Sequence, residues 1–213
     1  MHDDDATPRP ARPRRRTQAE RSAATRKAVC EATLDALVEV GYERISTTLI
    51  AQKAKVSRGA LTHHFPTRNE LLLAAYQALV DGWGEGYPLG PPHPEGVIGA
   101  TELIDALWTK IFENRRYIAS LELMLAARFD SELGRAMREM ILDWVQRRDA
   151  ITMELLGSSI DNEEDRLFQQ LSLAVLRGIA VNRIFDADDV TSARLLDMWK
   201  EIARQNEAKR LAR

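Results

Sequence analysis

The side chains with chemistry to offer are few and lie close together. From position 57 the chain reads Ser57-Arg58-Gly59-Ala60-Leu61-Thr62-His63-His64-Phe65. It brings together a guanidinium, two hydroxyls, two imidazoles and two very small residues. A guanidinium fork matches guanine edges and phosphate oxygens, hydroxyls hold phosphates, and a methyl group fits against thymine. That set suits nucleic acid better than catalysis. His63 and His64 are the one histidine pair, and as helix neighbours they point about 100° apart and cannot share a metal. Cys30 is the single cysteine, which rules out a disulfide within the chain and a cysteine-based zinc site. It falls on the stripe Cys30, Leu34, Leu37, Val38 and reads as a small buried apolar residue rather than a redox sensor. The acidic run Asp161, Glu163, Glu164, Asp165 suits a helix N-terminus, where carboxylates offset the macrodipole. No glycine-rich phosphate loop, Ser-His-Asp arrangement or paired-carboxylate site declares itself. Neither enzymatic activity nor a cofactor or metal is expected.

The elements around this stretch would hold it outward. Ser46 is a good N-cap, and Leu49, Ile50, Ala51 and Ala54 give a first short helix its apolar side. Lys55-Val56-Ser57 forms the connection, with Val56 as a plug and Ser57 as the cap of the next helix. That second helix is too short and polar for a core element. It carries one apolar pair, Leu61 and Phe65, spaced i and i+4, so one edge docks and the rest faces out. Pro66 follows, and Thr67 caps a third helix bearing Leu71, Leu72, Ala75, Leu79 and Val80. A short exposed helix held by a tight turn is the helix-turn-helix device, whose second helix enters the major groove. Upstream, an amphipathic helix over residues 21–40, ended by Gly41, would pack Val29, Leu34, Leu37 and Val38 beneath it, and Tyr42 would fold back as an aromatic plug.

These residues resemble the TetR family of one-component transcriptional regulators. The family pattern is a Gly-aromatic pair, then Ile-Ala-x-x-Ala-Gly-Val-Ser-x-Gly-x-Leu-Tyr-x-His-Phe, a short gap and Lys-x-x-Leu. Here it stands as Gly41-Tyr42, the run from Ile50 to Phe65, and Arg68 to Leu71. Lys55 replaces the turn glycine, so either the turn is not left-handed there or Lys55 carries strain. Thr62 replaces a tyrosine that touches phosphate in the family, and Arg68 replaces a phosphate-binding lysine. The resemblance implies that Ser57, Thr62 and Arg68 hold phosphates, with Ser46 and Thr48 near the backbone. Arg58, Ala60 and His63 would meet base edges, Gly59 would let the helix sit close, and His64 would pack and cap.

Charge divides along the same line. Residues 1–70 hold 13 Lys/Arg against 9 Asp/Glu, a net of +4, and residues 71–213 hold 17 against 23, a net of −6. A basic head on an acidic body suits local phosphate contact, since counterion release depends on the patch rather than the total. Residues 1–20, with Arg9, Arg12, Arg14, Arg15 and Arg16 among prolines, read as a disordered basic arm. Two uses fit it: added phosphate or minor-groove contacts, or a solubilising tail. The expected organisation is this arm, a helix-turn-helix domain over 21–82, and a helical domain over 83–213. The linker GEGYPLGPPHPEG, with four of the eight prolines, marks the boundary. No run approaches the roughly 18 apolar residues of a membrane span, and the acidic, polar start has no signal-peptide core. The expected location is the cytoplasm.

After Pro94 there is no proline, and 3.6-residue periodicity predicts helices over about 95–113, 115–129, 131–156, 162–185 and 190–209. No segment alternates with period two, so the expected fold is all-α. Residues 167–185 are apolar nearly all round. One face can meet the chain's own core, and the other needs a partner. Leu171, Ala174, Val175, Gly178 and Val181 there, with Leu195, Trp199 and Ile202 on the last helix, fit half of a four-helix homodimer interface. The family's last two helices dimerise, which points the same way; a central helix in a monomeric bundle is the other fit. The resemblance also implies an effector cavity in the C-terminal helices. Trp108, Phe112, Met124 and Phe129 are its candidate lining, with Met140, Trp144 and Phe168, although each also suits plain core. The expected function is a dimeric repressor released from a palindromic DNA operator by a small apolar effector. The alternatives are a non-inducible regulator or activator, and a small-molecule-binding protein with a non-functional head.

Overall fold

Thr17 starts the first helix. Its Oγ1 accepts the Glu20 N–H at 3.2 Å, and the Glu20 carboxylate accepts the Thr17 N–H at 2.7 Å. This reciprocal capping box places the start of α1 (Gln18–Arg44) ahead of the expected residue 21. The computed structural model describes residues 17–91, 96–186 and 189–212. The Arg-rich segment up to residue 16 lies outside them.

The fold is all-α, and the described residues contain no strand. Three helices follow α1 in the head and its extension: α2 (Thr47–Lys53), α3 (Arg58–His64) and α4 (Arg68–Gly84). Serine or threonine caps each of them, with Ser46, Ser57 and Thr67 accepting the N–H three residues on. The apolar stripe of α1 (Val29, Leu34, Leu37) meets Ile50 of α2, Leu61 of α3, Phe65, and Leu71 and Leu72 of α4, all at 2% exposure or less. Cys30 belongs to this core, and burial pushes its thiol above the ordinary value.

α4 runs out of the head and packs on α7 (Ser131–Leu155) of the body while still packing along α1. The rest of the body is α5 (Ala100–Leu107), α6 (Arg115–Ala126), α8 (Glu163–Asn182) and α9 (Val190–Leu211). α5 begins later than expected, at Ala100, with its first N–H received by Glu207 of α9 at 3.0 Å. It then widens into a π-helical turn over Trp108–Phe112, closed by the Glu113 N–H on the Trp108 carbonyl at 2.9 Å. Leu123, Leu133 and Leu176 are fully enclosed and anchor α6, α7 and α8; burying each contributes about 1.5–3 kcal/mol relative to exposure.

Head and body pack together through α1 on α6, and polar contacts cross the same junction. The Tyr42 N–H donates to Glu122 of α6 at 2.9 Å, Arg116 of α6 pairs with Asp35 of α1 at 2.7 Å, and Asn69 of α4 donates to Asp130 at 3.1 Å. Gly41 makes the first possible. Its φ of 75° and ψ of 169° kink α1 in a region essentially closed to other residues, and a Cβ there would stand 3.3 Å from the Glu122 carboxylate. Gly41→Ala should therefore lower the unfolding free energy by about 1–3 kcal/mol in urea denaturation; an unchanged midpoint would mean that the kink is not held in solution.

Candidate nucleic-acid interface

The turn between α2 and α3 decides how α3 is presented. The Val56 N–H donates to the Ala51 carbonyl at 3.0 Å and the Lys55 N–H to the Gln52 carbonyl at 3.1 Å. That is a Schellman closure, and Lys55 fills its left-handed position with φ 55°. Of the two possibilities open in the sequence, the strained one holds. A left-handed non-glycine residue costs roughly 1–2 kcal/mol, and the exposed Lys55 ammonium stands at the edge of the motif in return.

α3 then docks through Leu61 and the following Phe65, each 2% exposed, while Arg58, Gly59, Thr62 and His63 face out and Ala60 is half-buried. Arg26 of α1 closes the far end. Its guanidinium donates to the His64 carbonyl at 2.9 Å and lies 4.5 Å from the centroid of the Phe65 ring. The cation thus satisfies a carbonyl that α3 itself leaves unpaired. Arg26 escaped the sequence reading because its use depends on a contact 38 residues away.

The outward residues differ in how free they are. Among the described residues Arg58 has no carboxylate partner, and its fork is open to a guanine. Ser46 is exposed with its Oγ already accepting the Leu49 N–H, and Thr48 is exposed in the first turn of α2. Ser57 Oγ accepts the Ala60 N–H and keeps its own proton for a phosphate. Thr62 is different: its hydroxyl donates to the Arg58 carbonyl at 2.6 Å, so a phosphate contact through that proton requires the rotamer to change. Arg68 stacks 4.3 Å from the centroid of the Tyr42 ring and donates to the Tyr42 hydroxyl at 2.8 Å and carbonyl at 3.0 Å. It locks the Tyr42 plug and keeps three of its five N–H donors for other use.

In the body, the expected cavity lining is not brought together. Phe129 is 89% exposed, because α6 ends at Ala126 and leaves it in the turn before α7. Trp108, Phe112 and Trp144 are packed core, and Met124 and Met140 border it. Two aromatic residues outside the expected set, Trp83 of α4 and Tyr117 of α6, sit at the centre. The Trp83 ring lies 6.0 Å from Trp144 and 6.1 Å from Tyr117, and Phe112 lies 4.9 Å from Tyr117. Beside them a buried polar cluster joins Arg148, Asp149 and Thr152 of α7 to Gln169 of α8. Burial, with the Tyr117 phenol nearby, pushes the Tyr76 hydroxyl up to about 12. Concavities flank this core. An open cleft of about 860 Å³ lies between α1, α4 and α5, with Lys27, Glu31, Asp105 and Arg116 on its walls. A slot of about 50 Å³ lies between α5, α8 and α9, and Phe168 is the one expected lining residue on its wall.

α8 carries two stripes. Leu173, Leu176 and Ile179 face inward, whereas Leu167, Leu171, Ala174, Gly178 and Val181 follow a 4-3-4-3 spacing and are exposed, with Phe185 exposed in the turn beyond the helix. Leu195, Met198 and Ile202 extend that apolar face onto α9, and nothing lies within 4 Å of a Cβ placed on Gly178. Val175 is half-buried. Trp199, expected on the outward face, is 8% exposed and stacks on Phe168 at 5.6 Å inside the protomer.

The family profile for bacterial regulatory proteins of the tetR family matches residues 29–75, which span the second half of α1 to the first half of α4. The HTH-type transcriptional regulator CymR of Pseudomonas putida is 34% identical over 206 residues, covering 92% of this chain and 98% of that protein. A TetR transcription regulator of Haloarcula marismortui has the same fold, with a TM-score of 0.57, 19% identity, and 88% and 96% of the two chains covered. So does the multidrug binding protein EbrR complexed with imidazole, with a TM-score of 0.57, 23% identity, and 86% and 93% covered.

Arg58→Ala should cost about 1–3 kcal/mol of DNA binding and relax specificity at one base position, measured by anisotropy on single-substituted sites; an equal loss on every sequence would reduce Arg58 to a phosphate contact. Lys55→Gly should raise stability by up to about 1 kcal/mol in urea, since the relieved strain exceeds the added chain entropy of glycine.

Proposed function

Because the chain belongs to the TetR family of DNA-binding transcriptional regulators, we propose that it is a dimeric repressor that leaves a palindromic operator when a small molecule binds the helical body. The observation that carries this reading is the outward face of α3: Arg58 free, Gly59 and Ala60 small, His63 exposed, and the helix fixed at both ends by Ser57 and Arg26. Arg58 and His63 would meet base edges with the Ala60 methyl against thymine, and Gly59 would allow close approach. Ser57, Arg68 and Lys55 would hold phosphates, with Ser46 and Thr48 along the backbone and Thr62 after a change of rotamer.

The exposed stripe on α8 and α9 supports a homodimer. A seam spaced four and three residues apart is the pattern by which helices interdigitate, and Gly178 leaves room for a partner backbone. Two-fold pairing of two heads calls for half-sites about one helical turn apart, roughly 34–36 Å, or a multiple of that. Small-molecule response is supported by the head–body construction, in which α4 packs on α1 in the head and on α7 in the body and α1 also packs on α6, and by the complex of imidazole with EbrR, a protein of the same fold. A ligand would shift the head separation only by its differential affinity for the two states.

Sequencing of fragments that the purified protein selects from random DNA should return one palindromic consensus. No enrichment would overturn the repressor reading. The double variant Leu171→Glu, Val181→Glu should run near the 24.1 kDa of one chain in light scattering and lose operator binding, whereas the parent runs at twice that mass; a parent of single-chain mass would remove the dimer.

A further inference from the structure

Gln169 holds a buried acceptor that its own surroundings leave unused. The residue is 5% exposed. Its Nε2 donates to Thr152 Oγ1 and, at 3.4 Å, to Asp149 Oδ1. Both partners can only accept there. A carboxylate has no proton to give, and the Thr152 proton goes to the carbonyls of Arg148 and Asp149 at 2.9 and 3.2 Å. The orientation of the carboxamide is therefore dictated by α7, with nitrogen toward α7 and oxygen away from it. Oε1 is buried and has no hydrogen-bond partner, which is an expensive condition for an amide oxygen. Gln169 is part of the wall of the slot between α5, α8 and α9, and an occupant that parts these helices could bring a donor to that buried atom.

The rest of the slot specifies the other features of an occupant. Leu103, Ile104 and Leu107 of α5 face Phe168, Leu173 and Leu176 of α8 across it, so its body is apolar. The hydroxyl of Ser172 is committed to the Phe168 carbonyl at 2.9 Å. At the rim Arg210 pairs with Asp165 at 3.5 Å, and Glu207 receives the Ala100 N–H. Among the described residues of the rim no cation is left over for an anionic ligand, and their excess charge is negative. The volume of about 50 Å³ admits only a few water-sized bodies at roughly 10–15 Å³ each, so a larger occupant must part α5 from the α8–α9 pair. That pair carries the exposed stripe.

We propose that this slot binds a small neutral ligand with a single hydrogen-bond donor on an apolar body, a phenol or short alcohol, whose hydroxyl donates to Gln169 Oε1. The proposal rests on the ligand-responsive reading above and gives the effector a place and a chemical class.

Phenol and toluene are the matched probes, equal in shape and differing by hydroxyl against methyl. Calorimetric titration of the full chain should show phenol binding about 10-fold more tightly, although toluene is the more apolar molecule. Gln169→Met should bring phenol to the toluene level. Leu103→Trp, which fills the slot from α5 and leaves the Gln169 network alone, should abolish both. Toluene binding as tightly as phenol, no binding of either, or phenol binding indifferent to Leu103→Trp would overturn the proposal. Should Gln169→Met fail to fold, the phenol–toluene difference and Leu103→Trp still decide. Operator affinity, measured separately, tells the two readings apart. Release of DNA by phenol supports both. Phenol held in the slot without release supports the site and overturns its effector role. Release by a compound that does not displace phenol preserves ligand response and overturns the slot as its seat.

Discussion

A helix of seven residues does not form by itself in water, where isolated helices shorter than about 12–15 residues are marginal. α3 is that short, and it carries the exposed polar face of the helix-turn-helix. Its shape and angle therefore have to be supplied from outside. The Schellman turn sets where it starts, Ser57 satisfies its first donors, Leu61 and Phe65 seat it on α1 and α4, and Arg26 closes its last carbonyl. The strain at Lys55 is tolerated because the turn has these other constraints on both sides. What results is a polar face whose direction is fixed by apolar packing it takes no part in.

The head so built has to move relative to the body if binding elsewhere is to matter. α4 packs on α1 in the head and on α7 in the body, so displacement of its body half carries to the seat of α3. α1 also packs along α6 of the body, and polar ties add to that contact. Arg116 and Asp35 are each a third or more exposed, and a pair in that setting contributes about 0–1 kcal/mol. Glu122 and Asp130 accept backbone and side-chain N–H groups across the junction; the Leu133 N–H of α7 first, and then the Asn69 amide, hold the Asp130 carboxyl below its ordinary value.

The body is solid where aromatics were expected to leave a cavity. Trp83, Trp144, Tyr117 and Phe112 fill its centre, and at the wall of the slot between α5, α8 and α9 the Gln169 oxygen of α8 is buried without a partner. α8 therefore has three uses around its circumference: an inner apolar stripe, an outer apolar stripe, and a polar edge bonded to α7. A helix apolar on two faces is stable in a protomer only if the second face has a partner, which is why its composition stood out.

Local chemistry in the sequence determined a great deal. Capping serines and threonines, the Gly41 break, the i, i+4 docking pair of α3 and the 3.6-residue periodicity after Pro94 each act within a few residues. The helices they imply are found, with α1 starting earlier at its Thr17–Glu20 capping box and α5 later at Ala100. The doubled apolar faces of α8 were legible for the same reason. Which aromatics enclose space and which fill it was not legible, because that depends on how five helices meet: Phe129 fell in a turn, Trp199 turned inward to Phe168, and Trp83 and Tyr117 took the centre. The pairing of Arg68 with Tyr42, of Arg26 with the end of α3 and of Gln169 with α7 was equally hidden. Sequence fixes contacts whose partners are neighbours along the chain; a polar side chain that looks solvated in sequence acquires its task only when tertiary packing sets a distant partner beside it.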